Sequence, residues 1–135
     1  MSQPDFRAKI VLEASVSPSE DPSRVAKALE SVIGEARNEL HEVRNSIRMI
    51  TEDGSAFVRL RDQLRDRHVR SAARKQMLLN TSGRSTSLML NRQAAAAGVI
   101  ALCGSPDESP LGPIHMRIES DRLGSVVDWL TAYPG

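Results

Sequence analysis

Cysteine is nearly absent: Cys103 stands alone in 135 residues. That excludes an intramolecular disulfide and a thiolate cluster for zinc. Aromatic residues are almost as scarce, with only Phe6, Phe57, Trp129 and Tyr133. No apolar run approaches the roughly 18 residues of a membrane span. Met1 to Lys9 places acid and base before any apolar core of a signal peptide, so a cytoplasmic protein without a membrane partner is expected. The chain has no Gly-x-x-x-x-Gly-Lys loop and no Gly-x-Gly-x-x-Gly fingerprint, which removes the signals of a nucleotide cofactor. His41, His68 and His115 lack metal-ligand spacing, and Ser85, Ser87 and Ser109 lie outside any nucleophile elbow. Asp107 and Glu108 read as acids that keep a loop solvated. No cofactor, metal or enzymatic activity is expected.

What is present is arginine, unevenly placed. Fifteen of the 18 basic residues are arginine, and the formal net charge is only +1. Residues 1–54 carry seven basic against ten acidic side chains, residues 55–92 nine against two, and residues 93–135 two against five. A near-neutral total therefore hides a strongly basic middle, the usual footprint of an anionic partner.

The length fits one domain spanning residues 1–135. Phe6, Ala8, Ile10, Leu12, Ala14 and Val16 alternate with polar residues and predict a half-buried strand whose even-numbered side chains face a core. Asp21-Pro22 supplies a helix cap and a proline at the first helical position. Val25, Ala28, Leu29, Val32 and Ile33 then repeat at helical spacing up to Gly34. Residues 39–51 read as two short strands around Arg44-Asn45. Ser55 is placed to cap a helix carrying Phe57, Leu60 and Leu64, continued or kinked near His68 into Val69, Ala73 and Met77. Three strands are expected next, at 85–91, 98–102 and 114–118. Asp121 is placed to cap a last helix with Leu123, Val126, Val127 and Leu130 inside. This order predicts an α+β fold of two layers, a mainly antiparallel sheet with helices packed on one face.

Two clusters carry candidate binding chemistry. Arg59, Gln63, Arg67, Arg70 and Arg74 follow at steps of four, four, three and four, one side of a continuous helix, with Arg61, Arg65 and Lys75 widening the stripe. Such a face either meets anions or is simply solvated and paired with acids from residues 1–54. Asn91-Arg92-Gln93 either reads base edges and clamps a phosphate, or closes a turn before a short helical stretch at 94–97. Pro110-Leu111-Gly112-Pro113-Ile114 has no titratable group and reads as a rigid turn into the last strand.

The wording from Leu88 through Asn91-Arg92-Gln93-Ala94-Ala95 to Pro110-Leu111-Gly112-Pro113-Ile114 resembles a small family of archaeal proteins. In that family a lysine stands where Arg92 does, and the same turn precedes a strand. The resemblance implies a fold like that of the ribosomal protein that holds 5S RNA, and a role in RNA binding or in association with an RNA-degrading assembly. With so few aromatics, stacking worth roughly 1–3 kcal/mol per base has little to draw on. Non-catalytic binding of structured RNA through phosphates and shape is therefore expected, in translation or RNA processing, at Arg59, Arg67, Arg70, Arg74, Asn91, Arg92 and Gln93. The alternative is an accessory subunit of an RNA-processing assembly whose basic face meets an acidic protein.

Overall fold

The computed structural model describes residues 5–109 and 111–132. Five strands, β1 (Lys9–Ser15), β2 (Glu39–Val43), β3 (Ser46–Thr51), β4 (Ser85–Leu90) and β5 (Ile114–Glu119), form one sheet in the order β2-β3-β1-β5-β4. Every pairing is antiparallel. The helices are α1 (Pro22–Ile33), α2 (Gly54–Asp66), α3 (Arg70–Leu79), α4 (Arg92–Ala96) and α5 (Leu123–Thr131). The fold is α+β, with the helices packed on the sheet.

The period-two pattern sets the inner face. Ile10, Leu12 and Ala14 of β1 lie in the core with Ile114, Met116 and Ile118 of β5. Ile10 is paired with Ile118 and Leu12 with Met116 across the two central strands. At 1% and 0% exposure, Ile10 and Ile118 each support about 2–5 kcal/mol against truncation to alanine. α1 covers this face with Val25, Ala28, Leu29, Val32 and Ile33, and α5 with Val126, Val127 and Leu130. Asp21 caps α1 as its sequence predicts, its carboxylate accepting from Ser23 N at 2.9 Å.

Three local expectations are corrected. Residues 98–102 form no strand: Leu102 makes an isolated bridge to Leu90, and Ile100 turns into the core at 2% exposure. The apolar run there serves packing, not a ladder. α2 is capped by Asp53, which accepts from Ser55 N at 3.0 Å, so Ser55 is the donor and not the acceptor. Asp121 does not cap α5; its carboxylate pairs with Arg84, while Ser120 Oγ accepts from Arg122 N at 3.0 Å. No helix among the described residues is long and apolar enough to cross a membrane.

Candidate nucleic-acid interface

The basic stripe is not continuous. α2 ends at Asp66, His68 takes a positive φ of 57°, and α3 starts afresh at Arg70. The inner faces are Ala56, Phe57, Leu60 and Leu64 on α2, and Ala73 and Met77 on α3. The break swings α3 onto α5 and β4, and several stripe residues are used inside the molecule as a result.

Arg59 reaches back to α1 and donates from Nε and Nη2 to Ser31 O at 3.0 and 2.7 Å. Its side chain presses on Gly34, where a Cβ would come within 2.9 Å of Arg59 Cδ. Gly34 also has a φ of +67°, so the chain needs glycine here on two counts. Gln63 Oε1 accepts from Ile100 N at 3.3 Å and secures the loop at 98–102. Arg70 Nη1 donates to Ala132 O at 2.9 Å at the end of α5. Arg74 Nη1 pairs with Asp128 at 2.7 Å and reaches Thr131 Oγ1 at 3.2 Å.

Of the remaining cations Arg61 is half-buried and the others face solvent. Arg61 lies over the Trp129 ring at 4.7 Å, and Arg65 pairs with Asp62 at 3.6 Å and Asp66 at 3.2 Å. Arg67 and Lys75 are exposed, and no described residue bonds or pairs with either side chain. Around this corner six cations (Arg61, Arg65, Arg67, Arg70, Arg74, Lys75) stand against the carboxylates of Asp62, Asp66 and Asp128. The corner keeps an excess of positive charge although half of it is locally compensated.

The second cluster disperses. Asn91 caps α4, its side chain accepting from Ala94 N at 2.9 Å. Gln93 is exposed. Arg92 is 6% exposed and points inward, donating from Nη1 to Glu20 at 2.9 and 3.0 Å and from Nη2 to Ser15 Oγ at 3.3 Å. Its backbone N–H donates to Ser109 Oγ at 3.0 Å, and Ser109 Oγ donates on to Gly112 O at 3.0 Å. Desolvation pushes the Glu20 carboxyl up, but the Ser17 N–H and the Arg92 guanidinium outweigh it and hold the group below its ordinary range. The three side chains thus share no surface. Arg92 clasps the end of β1, the turn before α1 and the loop before β5.

That loop turns on a glycine in the left-handed region, as its residues suggest. Gly112 N donates to Ser109 O at 3.0 Å, and Gly112 has a φ of +91°. Leu111 also has a positive φ, 67°, and is 59% exposed. Pro110 lies outside the described residues, as does Tyr133.

The sheet face away from the helices is laced with ion pairs. His41, Arg48, Glu13, His115 and Met89 form one row across all five strands. Arg48 pairs with Glu13 at 3.0 Å, Arg117 with Glu119 at 3.1 Å and His41 with Glu39 at 3.5 Å. Val11, flanked by Ile50 and Arg117, is 4% exposed on the same face. Long side-chain stems cover apolar surface there while their charges stay wet. No Phe, Trp or Tyr side chain stands on this face among the described residues. Phe6, Phe57 and Trp129 are instead joined edge to face, with centroids 5.6 Å apart in each pair.

Residues 9–120 match the model of a protein family described as RNA binding. The chain belongs to that family. Its relatives include the UPF0201 proteins of Sulfurisphaera tokodaii, 34% identical over 126 residues, and Sulfolobus acidocaldarius, 33% identical over 125. Each alignment covers 91% of this chain and 86% of the relative. A UPF0201 protein from Methanococcus jannaschii has a similar crystal structure, with a TM-score of 0.76 over 94% of this chain and 95% of that one. A DUF54 protein from Methanothermobacter thermautotrophicus is similar at a TM-score of 0.63, covering 93% and 96%. At 22% and 18% identity these two structures speak for the fold alone.

Proposed function

We propose that this protein binds structured RNA without catalysing a reaction on it, holding the phosphate backbone at the corner between α2 and α3. Membership of a family described as RNA binding supports the ligand class. The observation that carries the location is the unpaired, exposed state of Arg67 and Lys75 beside Arg61, Arg65, Arg70 and Arg74. Guanidinium forks suit phosphate oxygens, and surface ion pairs such as Arg74–Asp128 are worth only about 0–1 kcal/mol, so a phosphate can compete for the arginine. The sheet face is a poorer site for bases, because most of its arginines are already paired with carboxylates and the Phe and Trp rings are packed elsewhere. Recognition then rests on backbone and shape, as it does for helical RNA. A place in translation or RNA processing fits a ligand read in this way.

The test is a titration against a structured RNA at several salt concentrations. Each phosphate neutralised contributes roughly −0.7 to −0.9 to the log–log slope, so four contacts give a slope near −3. A second reading has one observation in its favour. Leu78 and Leu79 at the end of α3 are 57% and 75% exposed beside Lys75, a mixed apolar and basic patch suited to an acidic protein subunit of an RNA-processing assembly. Pull-down with and without nuclease separates the two, since only the protein partner survives digestion.

A further inference from the structure

The two edges of the sheet are finished differently. β4 is largely covered by its own chain. Ser82 and Ser85 exchange backbone bonds at 2.8 and 3.1 Å, and Asn80 Nδ2 donates to Ser87 O at 3.0 Å. Cys103 N donates to Met89 O at 2.9 Å, and Asn91 N donates to Ala101 O at 2.8 Å. β2, at the other edge, has all five residues exposed. Apart from β3 and the hairpin's own turn, no described residue bonds its backbone. Val43 and Ser46 flank a two-residue turn, so Val43, His41 and Glu39 exchange bonds with β3, and the N–H and C=O of Leu40 and Glu42 point to the free edge.

Charges on an edge strand ordinarily discourage pairing. On β2 they are arranged to complement themselves. We propose that β2 pairs antiparallel with β2 of a second copy about a two-fold axis at Leu40, joining the two sheets into one. In that register Leu40, 45% exposed at the outer margin of the sheet, meets the partner's Leu40 on the helix side. Glu39 stands opposite the partner's His41 on the other side, and Asn38 opposite the partner's Glu42. The imidazole of His41, 3.5 Å from its own Glu39, thereby lies between two carboxylates. Neighbouring registers lack this match. Centring on His41 sets Leu40 against the partner's Glu42, and centring on Glu42 sets two carboxylates face to face. Charge complementarity therefore selects both the occupant and the register, and the contact is isologous, as closed dimers require.

The test is oxidative cross-linking with sedimentation. Directly paired residues have Cα atoms about 5.5 Å apart, inside the roughly 4.4–6.8 Å span of a disulfide. Leu40→Cys chains are expected to link into covalent dimers under mild oxidation. His41→Cys chains, displaced by two residues to about 8 Å, are expected to stay unlinked. The native Cys103 is buried at 1% exposure and does not compete. Wild type at hundreds of micromolar is expected to sediment at twice 14.8 kDa, and Leu40→Lys at 14.8 kDa with an unchanged melting curve. A monomeric wild type, a Leu40→Lys chain that stays dimeric, or preferential linking of His41→Cys would overturn the proposal.

Discussion

The clasp around Arg92 and the corner between α2 and α3 handle arginine in opposite ways. Arg92 is almost wholly buried, held by a single carboxylate from the turn before α1, and its Nε is left without a partner. Arg67 is exposed and held by nothing among the described residues. A buried guanidinium is expensive to strand, so the first arrangement serves the fold. An exposed, uncommitted one costs the fold nothing and stays available to a phosphate. What separates a structural arginine from a binding one is thus the commitment of its donors, more than the density of charge around it.

The largest effect should come from breaking the clasp. Arg92→Ala empties a buried site and leaves the largely buried Glu20 carboxylate with the Ser17 N–H alone, and is expected to cost about 3–5 kcal/mol in chemical denaturation. The same pair gives a pH signature. Because the Glu20 carboxyl is held low in the folded state, its contribution is fully present above the ordinary value of 4.5 and is lost as pH falls through the lowered one. Glu20→Gln should therefore differ most from wild type near neutral pH, and the gap in melting temperature should narrow in acid.

Next in size is Gly112→Val. With φ at +91° a β-branched side chain is strained whatever room surrounds it, and a loss of about 1–3 kcal/mol is expected. A thermal melt beside an RNA titration reads this, and lost binding with unchanged melting would move the loop from the clasp to the interface. Asp128→Asn should act in the other direction. It frees Arg74, and structured RNA is expected to bind up to about fivefold more tightly, the worth of an exposed ion pair. That gain should vanish when Arg74 is already glutamine.

Much of this architecture is legible in the residues themselves. Alternation at β1 and β5 and the 3–4 spacing of α1 and α5 arise from burial on one face, which is a local property. The departures have nonlocal causes. Residues 98–102 look like a strand because a short apolar run cannot by itself distinguish a ladder from a loop tucked under helices. The five-residue stripe from Arg59 to Arg74 assumes one helix axis, and the positive φ of His68 changes that axis. Arg92 finds its acid 72 residues away at Glu20, so no nearby spacing announces the pair. Asn91 is the more readable neighbour, since an asparagine ahead of an alanine run is an ordinary helix cap.

The most direct test of the central claim is a salt titration of Arg67→Gln/Lys75→Gln against a structured RNA, with wild type alongside. Both substitutions lie on the surface, and stability should stay within about 0.5 kcal/mol. The log–log slope is expected to flatten by about 1.5, and affinity to fall for many RNAs alike. An unchanged slope in a fully folded double variant would contradict the placement of the interface at the corner between α2 and α3. No salt-dependent binding by wild type itself would remove RNA as the ligand.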